Sequence, residues 1–514
     1  MPVEPPRSAA FPLQSALRIL LDLLLLCFAL NLVLQPLVEP DFGWHLRAGL
    51  DWLSHGLRLP DTDPYSHTMP DWRWVEHAWL TDGIVALLYR TFGAFGGLVV
   101  ILWFGLVTLL AWWAAAAAAA VSRTYRLIAM VAGLWVALPF LGARTQLVSV
   151  LGFAVLLWWW PQIRQGRRQW LWGLPPFFVL WANLHGGFTA GLFLLGLLLL
   201  SSLLLRVTVD RWPAVAAWLD EPILSWERWL HLSLIVLVAA LVTLLNPYGW
   251  RLHAEIYDSL TDRFMVDTLR EWQPVSLQGW AGRAYGWYLA GLAVLVIGWY
   301  RRIEPVRWML VLVMLALSLR HWRNVTLFLI VSLPLAAELL PLVTASLRRW
   351  APILTRQPNI ALGLVTLTVG GTLSSLGTDH LIHVWRSGTA TEASFEETEY
   401  PIEAVRWIRH HRSELGSRVY NDYGHGGFLL WQLPGERIFI DGRMPAWHLG
   451  DRWIFRDYVE LNREEAPTLV LLDRYEVDWA ITQRGGPVAR ALESQRGWRT
   501  LYTDEKVVIL RRPA

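Results

Sequence analysis

Cysteine is nearly absent: the 514 residues contain one, Cys27. A lone thiol excludes a disulfide framework and any cysteine-based metal site. Charge is scarce as well. Asp, Glu, Lys and Arg make up 17% of the chain, against about 25% in soluble domains. With 54% of residues hydrophobic, a water-soluble fold of this size could not hide the apolar surface. No small-residue cleavage site precedes Pro36, so the first apolar run is expected to be an uncleaved helix rather than a leader. The excess positive charge, +3 with a pI near 9.0, sits as arginine in short loops between apolar runs. Membrane topology accounts for it, and no nucleic-acid partner is implied.

What is present in quantity is apolar sequence. The runs 16–38, 95–121, 188–205 and 230–245 each approach the ~20 residues that cross ~30 Å of hydrocarbon. The whole pattern reads as a polytopic α-helical membrane protein of roughly eleven spans. With the N-terminus taken as cytoplasmic, five successive loops on that side carry the arginines: 123 and 126; 164, 167 and 168; 206, 211 and 228; 301, 302 and 307; 348, 349 and 356. Repetition of the positive-inside pattern sets the expected orientation in a bacterial cytoplasmic (inner) membrane. Residues 1–378 form the transmembrane domain, with a first outer loop over 39–94 in which 78–92 is an interfacial helix. An acidic linker, 379–399, leads to a small extracytoplasmic α/β domain over 400–514, with strands expected at 418–420, 437–440, 479–482 and 507–510 and helices at 402–411 and 467–474. The 34 tryptophans are mostly interfacial anchors; Trp44, Trp52, Trp72, Trp74 and Trp79, interleaved with charges, are candidates for stacking on sugar rings.

The polar motifs all fall on the side opposite the arginine loops. The first outer loop holds Glu39-Pro-Asp41-Phe-Gly-Trp44-His45-Leu-Arg47, then Asp61-Thr-Asp63-Pro, then Glu76-His77. A carboxylate just beyond a membrane helix, among aromatic rings, suits a general base or a cation ligand. Asp41 is the foremost candidate, with Glu76 second; capping of an interfacial helix is the structural alternative for Asp41. Asp61-Thr-Asp63 has an acid-x-acid spacing that can hold a metal, although Asp-Pro equally starts turns. A divalent metal (Mg or Mn) at Asp41 and Asp63 is therefore an expectation, with His45 and His77 nearby. A second set reaches the same face from other spans: Arg144, Asn183, His185, Glu271, Arg320 and Arg323. Guanidinium forks at membrane depth suit phosphate oxygens, although arginines at span ends also snorkel. In the C-terminal domain Asp422, His425, Asp441 and Arg443 are the most site-like positions.

The acidic motif after the first span, the amphipathic outer loop, the helix ending at Phe92-Gly93 and the many later spans resemble the GT-C class of integral membrane glycosyltransferases. That resemblance implies a catalytic acid at Asp41 in the first outer loop and a sugar donor on polyprenyl phosphate or diphosphate. The segments Asp41-Phe-Gly-Trp-His-Leu-Arg, Asp61-Thr-Asp-Pro-Tyr-Ser, Trp181-Ala-Asn-Leu-His-Gly-Gly, Asn246-Pro-Tyr-Gly, Glu271-Trp-Gln-Pro, Tyr420-Asn-Asp-Tyr-Gly-His-Gly-Gly and Phe439-Ile-Asp-Gly-Arg443 also resemble a group of poorly characterised bacterial polytopic membrane proteins.

The expected activity is transfer of a sugar from a polyprenyl-phosphate donor to a glycan, lipid or protein acceptor at the outer face of the bilayer. A transporter or flippase of lipid-linked glycans is the competing class; it calls for polar residues at the bilayer midplane, where the spans show only Asp22. A non-catalytic assembly subunit is the third reading.

Overall fold

The computed structural model describes residues 10–219, 223–350, 358–389, 400–463, 468–495 and 497–512. Among the described residues six helices are long and apolar enough to cross a bilayer: Leu13–Val33, Gly93–Ala117, Gln146–Arg164, Phe188–Arg211, Gly279–Arg302 and Trp322–Leu347. Asn359–Ser375 and Gly377–Thr389 pass together as a seventh, bent by 41°. Four further apolar helices, Arg123–Ala137, Leu174–Leu184, Trp226–Val242 and Pro305–Arg320, have 15, 11, 17 and 16 residues. At a rise of about 1.5 Å per residue they are shorter than the hydrocarbon is thick. Length and composition thus mark six or seven crossings where the sequence suggested about eleven.

The first span, α1 (Ala10–Val33), packs along the last membrane helix, Pro358–Thr389. Ser387 Oγ accepts from the Leu37 amide at 2.7 Å, and His380 Nε2 donates to the Leu34 carbonyl at 2.7 Å. That helix runs through Thr389, well into the segment expected to be a linker. The pairing brings the loop after α1 beside the domain that follows the last helix.

Three of the arginine-bearing loops meet at one end of the bundle, and Arg356 of the fifth lies outside the described residues. Arg164 reaches Glu304 at 3.4 Å, Arg307 joins Glu304 to Glu338, and Glu338 Oε1 accepts from the Ala120 amide. Asp22, the acid that interrupts the first span, accepts from Arg123 at 2.8 Å and from Thr124 Oγ1 at 2.7 Å. It therefore belongs to the arginine-rich end and is neutralised there.

At the other end two short amphipathic helices, α2 (Phe42–Ser54) and α3 (Trp79–Thr91), pack against each other. The C-terminal domain carries a four-stranded sheet in the order β1 (Val419–Asn421), β2 (Trp479–Gln483), β4 (Val507–Arg511), β3 (Arg499–Thr503). β1 and β2 are parallel and the other pairs antiparallel. The expected strand over 437–440 is not part of this sheet. Ile438 instead bridges Ser66 of the first outer loop, its amide donating to the Tyr65 carbonyl and its carbonyl accepting from the His67 amide. Loop and domain share one core: Trp44, Tyr65, Met69 and Trp74 are buried together with Tyr420, Phe439, Ile440 and Trp479.

Candidate functional site

The site begins where α2 meets the C-terminal domain. The first turn of α2 lies on the helix Gly426–Gln432, and glycine permits the approach: a Cβ on Gly43 would overlap the Gly427 carbonyl. Gly442 abuts Asp41 so closely that a side chain there would strike the carboxylate. Both C-terminal glycine motifs therefore act as docking surfaces for the first outer loop.

The charged residues beside them are structural too. Asp422 accepts from Thr482 Oγ1 at 3.0 Å and the Gln483 amide at 2.7 Å, fixing the end of β2. Arg443 is buried, donating to Asp63 at 2.6 Å and Asp441 at 2.8 Å, with Tyr65, Trp74 and Trp447 around its guanidinium. Asp63 also accepts from the amides of Tyr65 and Ser66, which is the turn that Asp-Pro announces. Neither Asp63 nor Asp41 belongs to a convergent group of three or more metal-ligating residues among those described.

Asp41 sits at the N-cap position of α2 without capping it; its Oδ1 accepts from Trp44 Nε1 at 3.1 Å. The carboxylate is free of the helix and set among charges. Burial raises its pKa, with Glu271 and Asp441 adding to the rise and His45 opposing it. One residue pair before it, Glu39 meets Arg144 Nε at 2.6 Å, and Arg144 Nη1 reaches Glu271 at 3.3 Å. Burial outweighs the Arg144 charge, so the Glu39 carboxyl is pushed up to about 7. Next to Glu271, the ring of Trp272 carries the Arg323 guanidinium at 4.2 Å.

A row of aromatic and imidazole rings continues from Asp41. Trp44 stacks on His45 at 3.5 Å, His45 lies 6.2 Å from His77, and His77 lies 5.3 Å from His185. Burial lowers the pKa of all three histidines, to about 4 for His45 and about 3 for His77, so they are neutral at physiological pH. The tautomer of His185 is set by its neighbours. Its Nδ1 accepts from the Gly187 amide at 2.9 Å and from Ser149 Oγ, whose own lone pair takes the Trp181 Nε1 proton. Nε2 of His185 is then the protonated, donating nitrogen. α3 is tied to this turn by Thr81 Oγ1, which donates to the Leu184 carbonyl at 2.6 Å.

Glu76 and Asp82 lie deeper. They are 2% and 1% exposed, and Asp82 accepts from His45 Nδ1 at 2.9 Å. Each carboxyl is raised well above its usual range, by burial first.

Of the expected site residues, the structure brings together Asp41, His45, Glu76, His77, Arg144, His185, Glu271 and Arg323. Two stand apart. Asn183 donates to the carbonyls of Val179 and Leu245, tying two helices together. Arg320 is exposed at the end of its helix and enters none of the described ion pairs or hydrogen bonds. Glu39, Asp82 and Thr145 were not singled out from the sequence. The adjacent acids flanking Pro40 were the available signal for Glu39; Asp82 and Thr145 carry none, because only the packing of α2, α3 and the turn at 145 unites them.

No known family matches the sequence, and no curated protein matches it either. The fold does have counterparts among solved structures. The oligosaccharyltransferase of Archaeoglobus fulgidus, tethered to an acceptor peptide containing the NVT sequon, aligns with a TM-score of 0.51 at 11% identity, covering 91% of this chain and 69% of that one. The archaeal oligosaccharyltransferase AglB in complex with an inhibitory peptide and a dolichol-phosphate gives the same figures. At that identity the likeness is one of fold: the chain shares its architecture with these solved archaeal structures.

Proposed function

We propose that this protein is a membrane glycosyltransferase that moves a sugar from a polyprenyl-phosphate-linked donor to a glycan, lipid or protein acceptor at the extracytoplasmic face. The observation that carries the reading is the position of Asp41, a carboxylate with a raised pKa that caps no helix, in the loop after the first span and two positions from Glu39, the partner of Arg144. A fold shared with enzymes captured with dolichol-phosphate and with acceptor peptide supports the donor and acceptor classes. Asp22, the acid that counted toward a transporter, is paired with Arg123 at the arginine-rich end.

The reaction needs a base, a route for the leaving group and a dry site. The acceptor oxygen attacks the anomeric carbon, its proton passes to Asp41, and the bond from the sugar to phosphate breaks with both electrons going to the phosphate oxygen. A carboxylate raised by burial is a stronger base than one in water. Arg144 and Arg323 offer guanidinium donors for the departing phosphate, and His77 and His185, neutral, supply polarity without adding charge. Glu39 and Glu271 hold Arg144 in place from two sides. Glu76 acts through His45 and Asp82, on which its position bears. A divalent metal at Asp41 and Asp63 does not fit these residues, because Asp63 is taken up by Arg443 and two amides. No step is routed through such an ion.

The test is transfer from radiolabelled polyprenyl-phosphate and polyprenyl-diphosphate sugars by purified protein, comparing wild type with Asp41→Asn. Loss of a general base lowers turnover by about 10²–10⁴-fold. Absence of turnover with every donor, or undiminished turnover by the variant, overturns the reading.

A further inference from the structure

We infer that His45, Glu76 and Asp82 form a binding site for one divalent transition-metal ion of the zinc class, separate from Asp41. One ligand atom from each of the three lies within 4.8 Å of the other two, and all three residues are buried. A tetrahedral ion held at ~2.0–2.1 Å requires its ligand atoms roughly 3.3 Å apart, and His45 Nδ1 already stands 2.9 Å from Asp82 Oδ1. The trio is built from three separate pieces of chain: α2, α3 and the loop before α3.

Independent of that convergence, Glu76 Oε2 is buried and meets no hydrogen-bond donor, while Oε1 is occupied by the Ala78 amide. Among the described ion pairs neither Glu76 nor Asp82 has an arginine or lysine. Two buried carboxylates without a cation are costly, so the acids keep their protons until a cation displaces them. A dication balances them to neutrality, which a monovalent ion would not. The imidazole selects against magnesium and calcium, which prefer all-oxygen shells.

The hydroxyl beside His45 is suited to the exchange. Thr145 Oγ1 lies 3.2 Å from His45 Nε2, and a hydroxyl either donates or accepts. When Nδ1 turns to the metal, its proton moves to Nε2 and is received by Thr145, so no polar group is orphaned. Access comes from a cavity of about 290 Å³ whose wall includes Glu76 and Asp82 with Trp52, Tyr65, Trp74 and Trp79. Three protein ligands leave the fourth position of the ion facing that space, the arrangement of metal sites that accept a water or a further ligand.

Metal analysis of the full-length protein in detergent tests this without reference to transfer. Chelator-stripped protein titrated with zinc is expected to bind one equivalent and to rise in melting temperature; cobalt is expected to give tetrahedral visible absorption. Glu76→Gln combined with Asp82→Asn abolishes binding, whereas Asp41→Asn retains it. Asp82→Cys adds a cobalt–thiolate charge-transfer band, which shows ligation at that position even in a less stable variant. No stoichiometric metal in the wild type, full binding by the double variant, or loss on Asp41→Asn alone overturns the inference. Because the readout is metal content, its failure is distinguishable from failure of the transferase reading.

Discussion

Arg443 of the C-terminal domain holds Asp63 of the first outer loop at 2.6 Å, with both side chains almost fully buried. The guanidinium also serves Asp441, so its removal leaves two carboxylates uncompensated. Breaking a buried pair in this way costs about 3–5 kcal/mol. Arg443→Met is expected to lower the melting temperature and expose residues 55–75 to limited proteolysis. Arg443→Lys restores the charge but not the fork, and is expected to recover only part of the loss.

Glu39 gives a stability term that runs against pH. Its folded pKa of about 7 lies above the usual 4.5, with burial as the cause. The folded state holds this proton more tightly, so the contribution is fully present below pH 4.5 and is lost as pH rises through 7. Melting temperature measured from pH 4.5 to 8 is expected to fall less steeply in Glu39→Gln than in wild type. Identical slopes would show that Glu39 is ionised throughout.

His67 gives the opposite sign. It donates from Nε2 to the Val419 carbonyl at 2.8 Å, its Nδ1 is buried without a partner, and burial lowers its pKa to about 4. Stability from this group is present above pH 6.5 and is lost as pH falls through 4. His67→Gln is expected to reduce the acid destabilisation in that window. It does not abolish it, since His45 and His77 shift the same way.

Gly442 offers a test of how finely Asp41 is placed. A methyl group there strikes the Asp41 carboxylate, whereas one at Gly424 meets open space. Displacement of a reacting group by ~1 Å costs about 10²-fold in rate. Gly442→Ala is expected to lose transfer to that extent and Gly424→Ala to keep it, both measured with the labelled donor.

The membrane character was legible because a twenty-residue apolar run is a local signal, and the arginine loops were legible because they repeat. The four shorter apolar helices were counted with the rest, since hydrophobicity alone does not measure length against a bilayer. In the C-terminal domain, β4 is buried at its first four positions and announced itself, whereas β3, Arg-Thr-Leu-Tyr-Thr on the sheet edge, has no buried position and so no alternation to read. The segment 437–440 has the composition of a strand, but its bridge is to Ser66 of the first outer loop. Periodicity carries no information about partners. The same limit separates Arg320 from Arg323: three residues apart at one helix end, only the packing of Trp272 decides which one reaches the cluster. Asp82 carries no site signal in the sequence, and its pairing with His45 depends on how α2 crosses α3.

Thr68 donates to the carbonyl of Phe439 across 371 residues of chain, and the bridge from Ser66 to Ile438 is as distant. During synthesis, then, the first outer loop emerges with half of its core missing and waits through every later span for the other half. A product truncated before Ile438 still contains all the candidate spans, yet it lacks the partner against which its acidic loop is folded. Ile438 and Phe439, made long after the first outer loop, complete its structure.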